Sequence, residues 1–337
     1  MAGSSAPSHW IGRGATARLL LPLAALYGGV AAVRRRLYRW QWLTTEHAAR
    51  PIVVVGNIAA GGSGKTPVVI WLAERLRAAG HTPGIVSRGY GRHDRAVRVV
   101  EPGMDAEWVG DEPALIASTT GCPMVVGADR PAAVDRLLAL RPDCSVVISD
   151  DGMQHYRMAR SVEIAVVDEA VLGNRWLLPS GPLREPVARL REVDLVIFNG
   201  PASDALREAV APVPAFTMKL VPGQACRLDG AAAQSLAAWR GRRVHAVAGI
   251  GRPRRFFEML GEHGIEAVAH AFPDHHRYTA GELEFPEALP ILMTSKDAVK
   301  CRSFAPADSW EVPVDAVIDA AALNILVEKL ADGQSPA

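Results

Sequence analysis

The sequence predicts an α/β protein of two sheet domains, and three observations carry that reading. Strand-like apolar runs alternate with helix-like segments from Pro51 onward, the pattern of parallel sheets covered on both faces. The chain has 337 residues, long for one core and natural for two. A glycine-rich loop, Ala59-Ala60-Gly61-Gly62-Ser63-Gly64-Lys65-Thr66, sits between an apolar strand and a helix. Composition agrees: 49% hydrophobic and 22% charged residues describe an ordinary folded protein. A net charge of +1 gives no global attraction for nucleic acid, and none is expected as a partner. Cys122, Cys144, Cys226 and Cys301 lack C-x-x-C spacing and read as reduced, mostly buried thiols.

Residues 1–46 are the compositional oddity. Leu19 to Val33 is almost wholly apolar and is followed by Arg34-Arg35-Arg36-Leu37-Tyr38-Arg39-Trp40-Gln41-Trp42. At about 15 residues the run is short for a spanning helix, which needs ~20. Arginine beside tryptophan and tyrosine suits a headgroup interface. The expectation is a helix lying on an anionic membrane surface. A secretory signal is the competitor, and the nucleotide loop argues against export.

The next expected unit, 47–215, opens with the strand Pro51–Gly56, the glycine-rich loop and a helix over Val68–Leu76. This is a P-loop in its required setting, with backbone N–H groups and a helix N-terminus aimed at a polyphosphate. Lys65 reaches the β/γ-phosphates and the Thr66 hydroxyl sits on Mg²⁺. Ala59 stands where the stricter pattern has Gly, which is tolerable if its φ stays negative. Further strands are read at Thr82–Ser87, Pro123–Val126, Ser145–Ser149, Ile164–Asp168 and Leu195–Asn199, with a hairpin arm at Val97–Val100. Helices are read from Asp111 through Thr119, over Arg130–Leu140 and over Ser203–Val210. Residues 216–232 read as a hinge ribbon, two short strands around Pro222-Gly223. A second α/β domain, 233–337, follows: a strand into the turn Ala248-Gly249-Ile250-Gly251, a helix over Pro253–His263, strands at Ile265–His270 and Pro290–Thr294, and a C-terminal helix. A cleft between two such domains is the usual place for a ligand.

Asp150-Asp151 closes an apolar strand where a metal-holding acid of a phosphoryl-transfer site belongs, and helix capping is its plainer explanation. Asp111, in Gly110-Asp111-Glu112-Pro113, is explained equally well as a helix cap or as a catalytic acid. His275 and His276 have no matching cluster at metal-ligand spacing; an imidazole paired with a carboxylate can instead accept a hydroxyl proton near neutral pH. Arg88, Arg92 and Arg184 could bind phosphates through their forked geometry. Asp297, after Lys296, resembles the base-recognising acids of other P-loop proteins.

The ordered set of motifs resembles the tetraacyldisaccharide 4′-kinase family of lipid A synthesis, from Val53 to Lys300. Beyond the loop and Gly-Asp-Glu-Pro it includes Ser87-Arg88-Gly89-Tyr90-Gly91, Asp150-Asp151-Gly152-Met153-Gln154-His155 and Leu178-Pro179-Ser180-Gly181-Pro182-Leu183-Arg184-Glu185-Pro186. Phe272-Pro273-Asp274-His275-His276 and Thr294-Ser295-Lys296-Asp297 complete it, with Ser295 where the family usually carries Glu. The resemblance implies transfer of the ATP γ-phosphoryl group to the 4′-hydroxyl of an acylated glucosamine disaccharide 1-phosphate. The setting it implies is the cytoplasmic face of the bacterial inner membrane, with a monomer expected. It implies Asp111 as base, assisted by His275, with Lys65 at the phosphates. It further implies Mg²⁺ on Thr66 with Asp150 or Asp151, and substrate contacts from Arg88, Gln154, His155, Arg184 and Glu185. Two rivals remain: a soluble P-loop kinase for a small molecule, and a nucleotide-switch protein that works through a partner.

Overall fold

A computed structural model of the chain describes residues 7–92, 94–101 and 103–332. Residues 1–6 and 333–337, at the outer ends of the first and last expected segments, lie outside the described residues. The run Ile52–Gly56 forms β1, the middle strand of a nine-stranded sheet among the described residues. Its side chains alternate between two cores, as a pleated strand requires. Val53 and Val55 join one core and Ile52 and Val54 the other.

The other strands of this sheet are β2 (Pro83–Ser87), β3 (Arg98–Val100), β4 (Met124–Val126), β5 (Val146–Asp150), β6 (Val162–Val167), β7 (Leu195–Asn199) and β8 (Ala215–Pro222). The second sheet holds β9 (Ala225–Arg227), β10 (Ala233–Gln234), β11 (Arg243–Ala248), β12 (Glu266–Ala271), β13 (Ile291–Thr294) and β14 (Ser309–Val312), and β15 (Val314–Val317) returns to the first. Spatial orders are β15-β8-β7-β6-β1-β5-β2-β4-β3 and β10-β9-β14-β13-β11-β12. The run from β8 to β4 is parallel, so β1, β5 and β6 end at one edge of the sheet, where ligands of such folds sit.

Helices α1 (Ala15–Leu19) and α2 (Leu21–Arg39) precede the first sheet. Around it lie α3 (Lys65–Ala78), α4 (Ala106–Val109), α5 (Asp111–Thr120), α6 (Arg130–Leu140) and α7 (Asp204–Val210). The second sheet carries α8 (Pro253–Glu262) and α9 (Ser295–Cys301), and α10 (Ala320–Asp332) ends the described chain. Val68, Val69, Leu72 and Leu76 give α3 its buried face at helical spacing.

The strands that cross between the sheets differ from the expected ribbon. β8 belongs to the first sheet and β9 to the second, and the two do not pair. The partner of β8 is the returning β15, antiparallel from Val314↔Pro222 to Val317↔Lys219. The final helix also departs from the expected second domain. Ala322, Leu326 and Leu330, with Ile318 just before the helix, pack into the core of Val53 and Val55. Their apolar side chains complete the first sheet's cover, and Lys329 reaches Asp194 there at 2.8 Å.

The N-terminal helices lie along the loop after β6. Trp10 donates to the Pro179 carbonyl (3.1 Å) and Tyr27 to the Arg184 carbonyl (3.1 Å). A Cβ on Gly28 would meet Leu177 at 2.5 Å, so glycine permits that close approach. On the opposite side Leu19, Leu23, Leu26, Val30 and Val33 are exposed, spaced four, three, four and three residues apart along one stripe. No described helix is long and apolar enough to cross a membrane.

Candidate active site

The nucleotide loop connects β1 to α3, whose first residue is Lys65. Gly64 has φ +89°, and a Cβ there would meet Asn199 Nδ2 at 2.5 Å, so conformation and space both demand glycine. Ala59 is absent from the positive-φ positions, the condition under which alanine is tolerated. The loop is held from outside. Asn199 donates to the Ser63 carbonyl (3.1 Å), Ala60 N–H to the Pro182 carbonyl (2.8 Å), and the N–H of Arg184 to the Ile58 carbonyl (2.7 Å). Gly61, Gly62, Ser63 and Thr66 complete the cradle at the start of α3.

Two adjacent carboxylates at the end of β5 have opposite surroundings. Asp150 is fully buried; burial first, then the negative charges of Glu112 and Asp151, push it up to about 6. Ser87 donates to its Oδ2 (2.8 Å), while Oδ1 is buried without a hydrogen-bond partner. Asp151 turns outward with φ +50°. Burial would raise it, but Lys65 and Arg184 outweigh burial and hold it at about 2. Lys65 Nζ lies 3.5 Å from Asp151 Oδ1, and Arg184 Nη1 lies 3.2 Å from both oxygens. Of the two acids considered for a metal, Asp150 therefore keeps the free oxygen and Asp151 is engaged by two cations.

Gln154 joins the loop to this cluster, donating to the Asn57 carbonyl (3.0 Å) and accepting from Arg184 (3.4 Å). His155 is pushed down to about 4 by burial and by the positive charges of Arg130 and Arg88, so it is neutral at pH 7. Arg88 itself is exposed.

The second half of the site spans both domains. Asp111 begins α5, after Gly110 at φ +97°. His275, in the loop after β12, places Nδ1 3.1 Å from Asp111 Oδ2. Burial would raise Asp111, but the His275 hydrogen bond and the Lys300 ammonium at 3.8 Å hold it below the usual carboxylate value. Lys296 lies 3.2 Å from Glu112 and from Asp274, and 3.5 Å from His275 Nε2. The two lysines, four residues apart, share one face of α9. Glu112 ties this half to the first, because its charge is felt at Asp150.

A family model for tetraacyldisaccharide-1-P 4′-kinase (LpxK) matches residues 16–331. The chain belongs to that family. It is 55% identical over 333 residues to the tetraacyldisaccharide 4′-kinase of Aromatoleum aromaticum, covering 99% of each chain. The kinase of that name from Azoarcus sp. is 56% identical over 336 residues, with 99% of this chain and 97% of the relative covered. A crystal structure of LpxK from Aquifex aeolicus in complex with ATP superposes with a TM-score of 0.80 at 28% identity. It covers 94% of this chain and 99% of that one. The chain is accordingly a kinase of lipid A synthesis.

Within this kinase two expected contacts fall elsewhere. Asp297 is fully buried and accepts from Gly249 N–H (2.9 Å), Tyr278 (3.0 Å) and Thr294 (2.6 Å), with Lys300 at 2.9 Å. Its oxygens are spent inside the second domain, where it anchors Lys300, the lysine that reaches Asp111. Glu185 is likewise buried, hydrogen-bonded by Tyr156 and lying 3.6 Å from Arg189 Nε. It braces the loop that carries Arg184 rather than facing an open cleft.

The sequence left other residues unassigned. Arg130 is fully buried and donates to the Gly127 carbonyl (2.8 Å) and the Asp150 carbonyl (2.9 Å). An arginine directly after the capping Asp129 was the only local hint of it. Asp168, past the end of β6, is buried and paired with Arg252 and with Arg255 (3.1 Å) of the second domain. No spacing rule links residues so far apart in sequence.

Proposed function

We propose that Asp111, oriented by His275, is the base that activates the 4′-hydroxyl of tetraacyldisaccharide 1-phosphate for attack on the γ-phosphate of ATP, yielding lipid IVA. The observation that carries this reading is the 3.1 Å contact between Asp111 and His275 from opposite domains, next to Glu112, whose charge is felt at Asp150. Asp111 is ionised at neutral pH and has an oxygen poised to accept a proton. His275 and Lys300 stabilise its charge until the hydroxyl gives up that proton. Lys65 lies where the β/γ-phosphates of a P-loop nucleotide rest, and Arg184 beside it is the second cation for the developing charge.

The donor set fits magnesium. Asp150 Oδ1 is buried and unpartnered, and this ion takes one or two protein carboxylates with phosphate oxygens and water for the rest. Asp150 and the Thr66 hydroxyl would hold it; bound there, it offsets phosphate charge. Among the described residues no cluster of three His, Cys, Asp or Glu forms a protein cage, and this arrangement needs none.

The exposed apolar stripe of α1 and α2, with Trp40 and Trp42 beyond it, supports peripheral attachment at the cytoplasmic face of the inner membrane, where an acylated acceptor resides. Movement of the second domain on β8 and β15 would part and reunite Asp111 with His275 and Lys300, closure excluding competing water. The test is turnover by Asp111→Ala with the lipid acceptor. The reading expects a loss of roughly 10²–10⁴-fold, and a loss below about tenfold contradicts it.

A further inference from the structure

Beyond the C-terminal end of α2 lies an open cavity of about 610 Å³ that phosphoryl transfer does not use. Four guanidinium groups line it: Arg35 and Arg39 from α2, Arg160 from the loop before β6, and Arg189 from the turn before β7. Tyr38 and Tyr156 lie between them.

The acids nearby leave part of this positive charge free. Glu192, also in the lining, takes Arg35 at 3.4 Å. Glu163 takes Arg160 at 2.7 Å and also pairs with Arg189 Nη2, and Glu185 lies 3.6 Å from Arg189 Nε, so the uncompensated charge of the four is that of Arg39. Arg39 has no hydrogen-bond or ion-pair partner among the described residues. Arg189 is only 4% exposed, yet its Nη1 is buried with no hydrogen-bond partner. A buried guanidinium N–H without an acceptor is costly, and an anion supplying oxygens satisfies it. A phosphate ester offers several acceptors at once and matches the fork geometry of arginine.

Trp40 and Trp42 point to the source of the ester. Trp40 directly follows Arg39 and Trp42 lies two residues on; they are 60% and 75% exposed and stand 6.1 Å apart between ring centroids. Exposed indoles beside arginines suit headgroup depth. We propose that this cavity is a second anion site, separate from the triphosphate loop, which takes the phosphate ester of a membrane lipid. Its lipid origin rests on the membrane reading above; its anion chemistry does not.

The experiment titrates sn-glycerol 1-phosphate into the full chain with the nucleotide loop filled by a non-hydrolysable ATP analogue and Mg²⁺. Expected is one-to-one binding, weakened by about tenfold or more in Arg39→Gln. Arg36→Gln, which removes the same charge from an exposed position outside the cavity, should change it less than about twofold. Absence of binding, or equal losses in the two variants, overturns the proposal. A kinase assay in neutral detergent then separates the sources. A raised KM for the disaccharide 1-phosphate in Arg39→Gln, at constant kcat, assigns the cavity to the acceptor's own phosphate. An unchanged KM, with lost recruitment to phosphatidylcholine vesicles containing phosphatidylglycerol, assigns it to a bystander lipid. Wild-type protein that binds glycerol phosphate but no vesicle keeps the anion site and overturns its lipid origin and the membrane reading.

Discussion

The two halves of the site are built in different ways. Lys65, Asp151 and Arg184 all belong to the first domain and are held by contacts between β1, β5 and the loop beside them. Asp111 belongs to that domain too, but His275, Lys296 and Lys300, which surround it and Glu112, come from the second. The phosphate half is therefore preformed, whereas the base half exists only while the domains touch. Under the proposed mechanism, a nucleotide on the phosphate half meets an activated acceptor only where the two domains are in contact. The same contrast recurs within the first half. Adjacent acids at one strand end, the last residue of β5 and the first beyond it, are driven apart, Asp150 up to about 6 and Asp151 down to about 2, by burial against cations.

Damage to either half alone should have its own kinetic signature. Lys65→Ala removes the cation of the preformed half and should cost on the order of 10³-fold in turnover, with a matching loss of ATP affinity by calorimetry. Lys300→Met touches the base half and the buried Asp297 behind it, which Gly249, Tyr278 and Thr294 still hold. It should lower kcat by about tenfold and leave ATP affinity unchanged. Without that positive charge Asp111 rises, so the acidic limb of the kcat profile moves to higher pH. Parallel loss of ATP binding would mean the halves are not separable.

Asp150 gives a subtler pair of effects. Its folded value near 6 lies above the usual 3.8, so the folded state binds the proton more tightly and gains stability as pH falls through 6. At pH 7 the buried charge costs roughly 1–3 kcal/mol. Asp150→Asn should raise Tm by a few degrees while it weakens the magnesium dependence of turnover. A lowered Tm would contradict the account of that carboxylate. In the wild type, apparent Mg²⁺ affinity measured by activity should weaken by about tenfold per pH unit below 6, where Asp150 takes up its proton.

What the sequence made legible follows the same division. The P-loop, its strand and its helix are contiguous, so spacing alone located Lys65 and Thr66, whereas the need for glycine at 64 came from Asn199, 135 residues away. Asp150-Asp151 was readable as a strand-end pair, but which acid keeps a free oxygen depended on Arg184, 33 residues away. The pairing of β8 with β15 joins segments nearly a hundred residues apart, and local alternation carries no record of it. Nor could hydrophobic spacing in α10 say which sheet the helix covers. Asp297 was misplaced for a related reason: a Lys-Asp pair after a strand looks alike whether the acid faces a base or its own domain. Only Tyr278, Thr294 and Gly249 closing around it decide the matter.

In the proposed mechanism Asp111 and His275 act as one unit. The most direct test is a double-mutant cycle of Asp111→Asn and His275→Ala, measured as single-turnover phosphoryl transfer with saturating ATP and lipid acceptor. The account predicts that the double variant is no slower than about twofold below the worse single variant. Losses that multiply would show two independent residues and contradict it.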